Sequence, residues 1–388
     1  MAQIMDYLSW RGDIPFSVSP LNDVDRYIIC KLGTADWSGI VPEDARHVPL
    51  GRAAARFFGE ETESPAGEAE GDTLARLLRR LPGTVRFGSL ELSGFRLRIS
   101  DEDTEQFSSL TVRLPGGQYF VTFRGTDTSF VGWKENCLMA VKNEVSAQRR
   151  ALEYLRFAAE SYPGRLLVGG HSKGGNLAVY AAARLDPAQQ ERVEAVYNFD
   201  GPGFQDSFLQ SRGFLTVRSR IHTILSQNAM VGLLLTQTDT PTIVRTASVA
   251  ISAHDGFTWE CSPTGFVTCG ELSPASRAFD ESMTAVLAGM DDTRRTDFID
   301  GLFSALGSTG ARTVTELTEQ RWREALAVAG SVIREPEVTR LVTELLENMV
   351  KNYAAEKTRG LNLSSVSVPF LRRHEDRDAE ADTEPQPV

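Results

Sequence analysis

The chain is poor in cysteine and histidine. Its four cysteines, Cys30, Cys137, Cys261 and Cys269, are scattered through 388 residues with no C-x-x-C pair. Such spacing has no metal-ligand rhythm and argues for buried thiols rather than a disulfide framework. No uninterrupted apolar run reaches the roughly 18 residues a spanning helix needs, so no integral membrane segment is expected. The opening MAQIMDYLSWRGD lacks a basic n-region, a long apolar stretch and a small-residue cleavage site, and a cytoplasmic location is the expectation. Net positive charge is missing too. Against 41 Lys and Arg stand 52 Asp and Glu, a balance of −11 that argues against a nucleic-acid surface. No cofactor and no metal is expected, and no pattern bears on oligomeric state.

What is present suits a large core: 41% of residues are hydrophobic and 24% charged, the balance of an ordinary globular chain. The segment GEETESPAGEAEGD, 59–72, is acidic, small and free of aromatics, and reads as a surface loop. TLARLLRRL predicts a helix from residue 73, stopped by Pro82-Gly83. Strand patterns follow in FRLRISD, SSLTVRL and QYFVTFRGTD, then helical spacing over 144–161 and a short apolar strand, RLLVGG. A helix over Lys173–Leu185 precedes three β-rich runs, VEAVYNFD, RIHTILS and TIVRTAS. Strands alternating with helices predict an α/β fold, its sheet mainly parallel and covered on both faces. Beyond about 275 only helical patterns remain. The expected division is an α/β domain over 1–271, a helical region packed on it over 272–371, and a disordered acidic tail over 372–388.

Within LLVGGHSKGGNLAVYAAARL, Ser172 stands between Gly170 and Gly174 where a strand pattern gives way to a helical one. A G-x-S-x-G match alone is weak, because a glycine-rich turn needs no serine. The strand–turn–helix frame strengthens it. A nucleophile on so sharp a turn requires small neighbours, and the helix start aims backbone N–H groups at the serine oxygen. The spacing fits neither G-x-x-x-x-G-K-[ST] nor G-x-G-x-x-G, so a phosphate loop is set aside.

A serine nucleophile needs a base, and the chain has five histidines. His47 lies near the N-terminus and His374 in the acidic tail, while His222 sits inside a strand pattern. His171 is beside the serine, where its side chain is expected to point away from the attack direction. His254, in VAISAHDGFTW after the last β-rich run, remains the candidate base. The acid should end a strand after the serine turn: Asp200 in VYNFDGPGF ranks first and Asp239 in LLLTQTDTP second, each also readable as a turn aspartate. Asp255 is a chain neighbour of His254, a geometry that rarely allows the required bond. For the oxyanion, Lys173 offers its backbone N–H and Thr126, after the strand QYFVTF, its N–H and hydroxyl.

FRGT, then FVGWKEN, then GHSKGG with NLAVYAA, resembles the class 3 lipases. The opening MDYLSWRGDIPFS, NDVDRYII, SAQRRALEYL and HDGFTW resemble more closely the Mbeg-like family, part of the α/β-hydrolase superfamily, over about residues 5 to 350. The resemblance implies an α/β-hydrolase fold, Ser172 as nucleophile, His254 as base, and Thr126 with Lys173 as oxyanion donors. It also exposes a departure. The class 3 lipase acid sits in a segment matched here by SQNAMVGLLL, with Ala229 where the aspartate is expected. Either the acid has moved, as Asp200 would allow, or it is lost.

The function expected is cleavage of a small-molecule carboxylic ester, acyl lipids included, through an acyl-enzyme on Ser172. Amide or thioester cleavage would use the same groups. The alternative of another class is an inactive binding or scaffold protein that kept the fold. Phe130–Val145 is a candidate lid, and Met230–Leu235 reads first as a core helix and second as an acyl-pocket lining.

Overall fold

The computed structural model describes residues 1–59, 73–100, 105–126, 144–237, 240–288 and 292–310, with isolated positions in 134–139 and 324–343. Asp239, all but the first residue of the 59–72 loop, most of Phe130–Val145 and the 372–388 tail lie outside the described residues.

Four helices open the chain: α1 (Ile4–Arg11), α2 (Asp23–Leu32), α3 (Leu50–Phe58) and α4 (Thr73–Arg80). Helix α2 starts where Asn22 caps the amides of Val24 and Asp25 at 2.9 and 3.3 Å. The Asp25 carboxylate answers by accepting from the Asn22 amide at 2.9 Å, a reciprocal box that satisfies otherwise unpaired donors. Val24, Tyr27 and Ile28 recur at helical spacing and are fully buried.

Nine strands form one sheet in the order β1 (Val48–Pro49), β2 (Glu91–Ser100), β3 (Glu105–Arg113), β4 (Tyr119–Phe123), β5 (Leu166–His171), β6 (Val193–Phe199), β7 (Ile221–Ser226), β8 (Thr242–Val244) and β11 (Thr268–Cys269). A separate hairpin pairs β9 (Cys261–Ser262) with β10 (Gly265–Phe266).

The expected mainly parallel sheet needs correction. Strands β4 to β8 are mutually parallel, while β1 to β4 pair antiparallel, as do β8 and β11. The reason is connection length. The β3–β4 link is a tight turn through Gly116 and Gly117, both at positive φ, and so short a link can only reverse the chain. Parallel pairing begins where helix α5 (Ser146–Ser161) supplies a long crossover to β5.

Helix α6 (Lys173–Arg184) links β5 to β6, the short helices α7 (Pro187–Arg192), α8 (Asp206–Leu209) and α9 (Arg212–Val217) flank β6 in sequence, and α10 (Pro274–Ala288) and α11 (Asp292–Gly307) follow the sheet. Strand alternation divides the core in two. Tyr119, Val121, Phe123, Leu166 and Val168 pack with Ala147, Ala151, Leu177 and Ala181 of α5 and α6. Phe120, Leu167, Tyr197 and Phe199 face the other way, into a cluster with Tyr27, Ile28 and Trp259. Fully burying a side chain such as Leu177 stabilises the fold by about 1.5–3 kcal/mol relative to leaving it exposed.

Met230–Leu235 is not a helix. Val231–Leu233 forms a single 3-10 turn, and Leu235 has φ 66, which no helix continues. Among the described residues no helix is long and apolar enough to cross a membrane.

Candidate active site

Strand β5 delivers Ser172 to its C-terminal end, and α6 begins at the next residue. Ser172 turns the chain with φ 58 and ψ −132, a conformation costing a non-glycine residue about 1–3 kcal/mol. The turn is pinned because the Ser172 amide donates to the Phe199 carbonyl at 2.9 Å. Close packing explains its glycines: a Cβ on Gly174 would collide with the Phe123 carbonyl at the end of β4. A Cβ on Gly125 would stand 2.6 Å from the His171 carbonyl and 3.1 Å from Ser172 Cβ, so the segment leading to Thr126 runs directly against the serine. Ser172 is buried.

Asp200 follows the last residue of β6, with φ 50 and its amide donating to the Ile224 carbonyl at 2.8 Å. Its fully buried carboxylate accepts from His254 Nδ1 at 2.7 Å. The Ser226 backbone amide also faces this carboxylate and, like His254, favours its charged form. Burial pushes the Asp200 carboxyl above the usual carboxylate range, against the lowering pull of His254. With Nδ1 donating, Nε2 of a neutral His254 is left as an acceptor, the state a general base requires.

His254 ends a 3-10 turn, Ala250–His254, braced by Trp259 Nε1 donating to the Ala253 carbonyl at 2.8 Å. It meets the serine turn through His171: the two imidazole centroids are 4.6 Å apart, and His171 Nε2 lies 2.7 Å from the His254 carbonyl oxygen. His171 thus packs against the residue expected to act as base. Its ring lies on the side of the sheet facing α2, directly under His254, with Tyr27 edge-on at 5.5 Å.

Ala229, where the class 3 lipase aspartate was expected, is fully buried in an apolar cluster with Leu225, Leu233 and Ile243. Lys173, considered only for its amide, is also buried along its whole side chain, with Nζ donating to the Gln106 carbonyl at 2.6 Å. Thr126 is partly buried. Asp255 does not pair with His254; its Oδ1 accepts from the Phe257 amide at 3.2 Å and faces the Tyr27 hydroxyl at 3.4 Å. Tyr27 went unnoticed in the sequence, although the paired segments NDVDRYII and HDGFTW meet at this residue.

A sheet with a parallel centre, helices on both faces and a serine turn at the carboxyl end of a central strand make an α/β-hydrolase-like architecture. The model of the Mbeg1-like family matches residues 81–304, more than half of the sequence, and the chain belongs to that family. Among solved structures it is similar to the M37 lipase, with 16% sequence identity and a TM-score of 0.34, over 44% of this chain and 65% of the lipase chain. No curated protein matches the sequence.

Proposed function

We propose that the chain is a serine hydrolase that cleaves a carboxylic ester, acyl lipids included, through an acyl-enzyme on Ser172. The observation that carries this reading is the 2.7 Å bond from His254 Nδ1 to the buried Asp200, formed beside the strained turn that bears Ser172.

In the reaction, His254 Nε2 takes the Ser172 proton as Oγ attacks the ester carbonyl carbon. The tetrahedral oxyanion is met by the Lys173 amide and by Thr126 through its amide and hydroxyl. Collapse breaks the bond to the alkoxide oxygen, which leaves as alcohol with the proton from His254. Water then repeats the sequence on the acyl-enzyme and releases the acid. Asp200 holds the imidazole tautomer and stabilises its protonated form throughout. An amide or thioester would pass through the same steps, and a panel of matched substrates separates the three.

The test is labelling by a fluorophosphonate probe of the wild type beside Ser172→Ala and His254→Ala. Labelling of the wild type alone supports the reading. A folded wild type that resists the probe would favour a binding protein built on the same fold.

A further inference from the structure

We infer that His171 is a positioning residue for His254, holding its main chain by a hydrogen bond and supporting its imidazole from beneath. This rests on the reading of Ser172 and His254 as nucleophile and base. A carbonyl oxygen only accepts, so in the 2.7 Å contact with the His254 carbonyl it is His171 Nε2 that carries the proton. The bond fixes both the His171 tautomer and the backbone from which the His254 ring projects.

The need for such an anchor follows from the local fold. His254 ends a short 3-10 turn, where the following amide, Asp255, reaches back to the Ser252 carbonyl at a long 3.3 Å. Asp200 secures a single ring atom, Nδ1, and leaves the backbone to be held by something else. Trp259 braces the preceding residue, and two further side chains hold the segment from the sheet side. His171 comes from the end of β5, and Tyr27 of α2 accepts the Gly256 amide at 2.9 Å while standing edge-on to the His171 ring. Because His171 directly precedes Ser172, one strand end fixes the nucleophile and, through this bond, the base. Burial, with His254 and Lys31 nearby, holds the His171 imidazole well below the ordinary histidine range. It therefore stays neutral, and no second cation forms under His254 when the base takes its proton.

A histidine that merely fills space would be replaceable by another flat ring, whereas an anchoring donor would not. The experiment measures kcat and KM on a chromogenic short-chain ester, with fluorophosphonate labelling, for wild type, His171→Phe and His171→Gln. The phenyl ring keeps the volume and loses the N–H; the glutamine amide keeps a donor at similar reach. Loss of the anchor is expected to lower kcat by ~10²-fold with KM nearly unchanged, the scale a displacement of about 1 Å carries. His171→Gln is expected to recover most of that loss. Equal activity of wild type and His171→Phe, or no recovery in His171→Gln, overturns the inference. A wild type that neither turns over nor labels overturns the hydrolase reading, and this role with it. Should His171→Phe not fold, histidine-selective NMR of the wild type decides. A slowly exchanging Nε2–H that vanishes in His171→Gln supports the anchor, and its absence overturns it.

Discussion

Asp200 and His254, 54 residues apart in sequence, are joined by a 2.7 Å hydrogen bond in which the carboxylate has no exposed surface. Asp200→Asn should remove the acceptor that selects the Nδ1–H tautomer, lowering kcat by ~10⁴-fold. Stability should move the other way. The folded-state pKa of Asp200 is raised, so the folded protein loses stability as pH rises from the unfolded carboxyl value through the folded one. The variant is spared that loss at neutral pH. Urea midpoints at neutral pH should therefore be equal to or above wild type, and a clearly lower midpoint would show the pair to be a net structural support.

Ser172 holds a backbone conformation suited to glycine, with φ 58 and ψ −132. Ser172→Gly should therefore be more stable than Ser172→Ala, by about 1 kcal/mol, while both lack turnover. Matched thermal or urea unfolding of the two variants checks this. Equal stabilities would mean that the turn stores no strain.

Burial holds the His171 imidazole well below the ordinary histidine range. A base with a depressed folded pKa contributes stability above its unfolded value, and that stability is lost as pH falls through the folded pKa. Between about pH 7 and about pH 5, wild type should lose more stability than His171→Gln, which has no proton to bind there. His47 and His222 are also shifted downward by burial, but they are common to both proteins and cancel in the comparison. Parallel slopes of unfolding free energy against pH would contradict this.

Far from the site, Arg86 grips Asp25 through Nε and Nη2 at 2.7 and 2.5 Å, and both side chains are fully buried. Tyr7 donates to the same carboxylate at 2.7 Å, and Arg86 Nη1 donates to the carbonyls of Ile14 and Ser19. Arg86→Met leaves Asp25 buried without its cation and should cost about 3–5 kcal/mol. Denaturation of the variant measures this, and a cost below about 1 kcal/mol would show that Asp25 finds water instead.

Much of the core was legible because local pattern and final environment agree. The apolar runs of β5 and β6 are buried on both faces, and α6 is small-residue rich where it packs between strands and neighbouring helices. The helix over 144–161 and the one starting at 73 were read within a few residues of α5 and α4 for the same reason. Three features were misread or missed. The direction of pairing in β1 to β3 follows from how the chain returns, which residue-by-residue hydrophobicity does not encode. The strands at 261–269 are two residues each, too short to show alternation. The apolar segment at 230–235 has helical composition but carries Leu235 at positive φ.

The amino-acid sequence by itself determined that Ser172 would stand on a tight turn between strand and helix. Only small residues allow that approach, and glycines stand at 170, 174 and 175. It also singled out His254 as the candidate base and ranked Asp200 before Asp239 as the candidate acid. Tertiary structure alone decided that Asp200 meets His254, because that meeting depends on the segment after β8, which carries His254, folding back over the carboxyl end of β6. The same convergence put His171 and Tyr27 under His254. Contacts spanning 54, 83 and 229 residues form there through sheet order and helix docking, which no local spacing records.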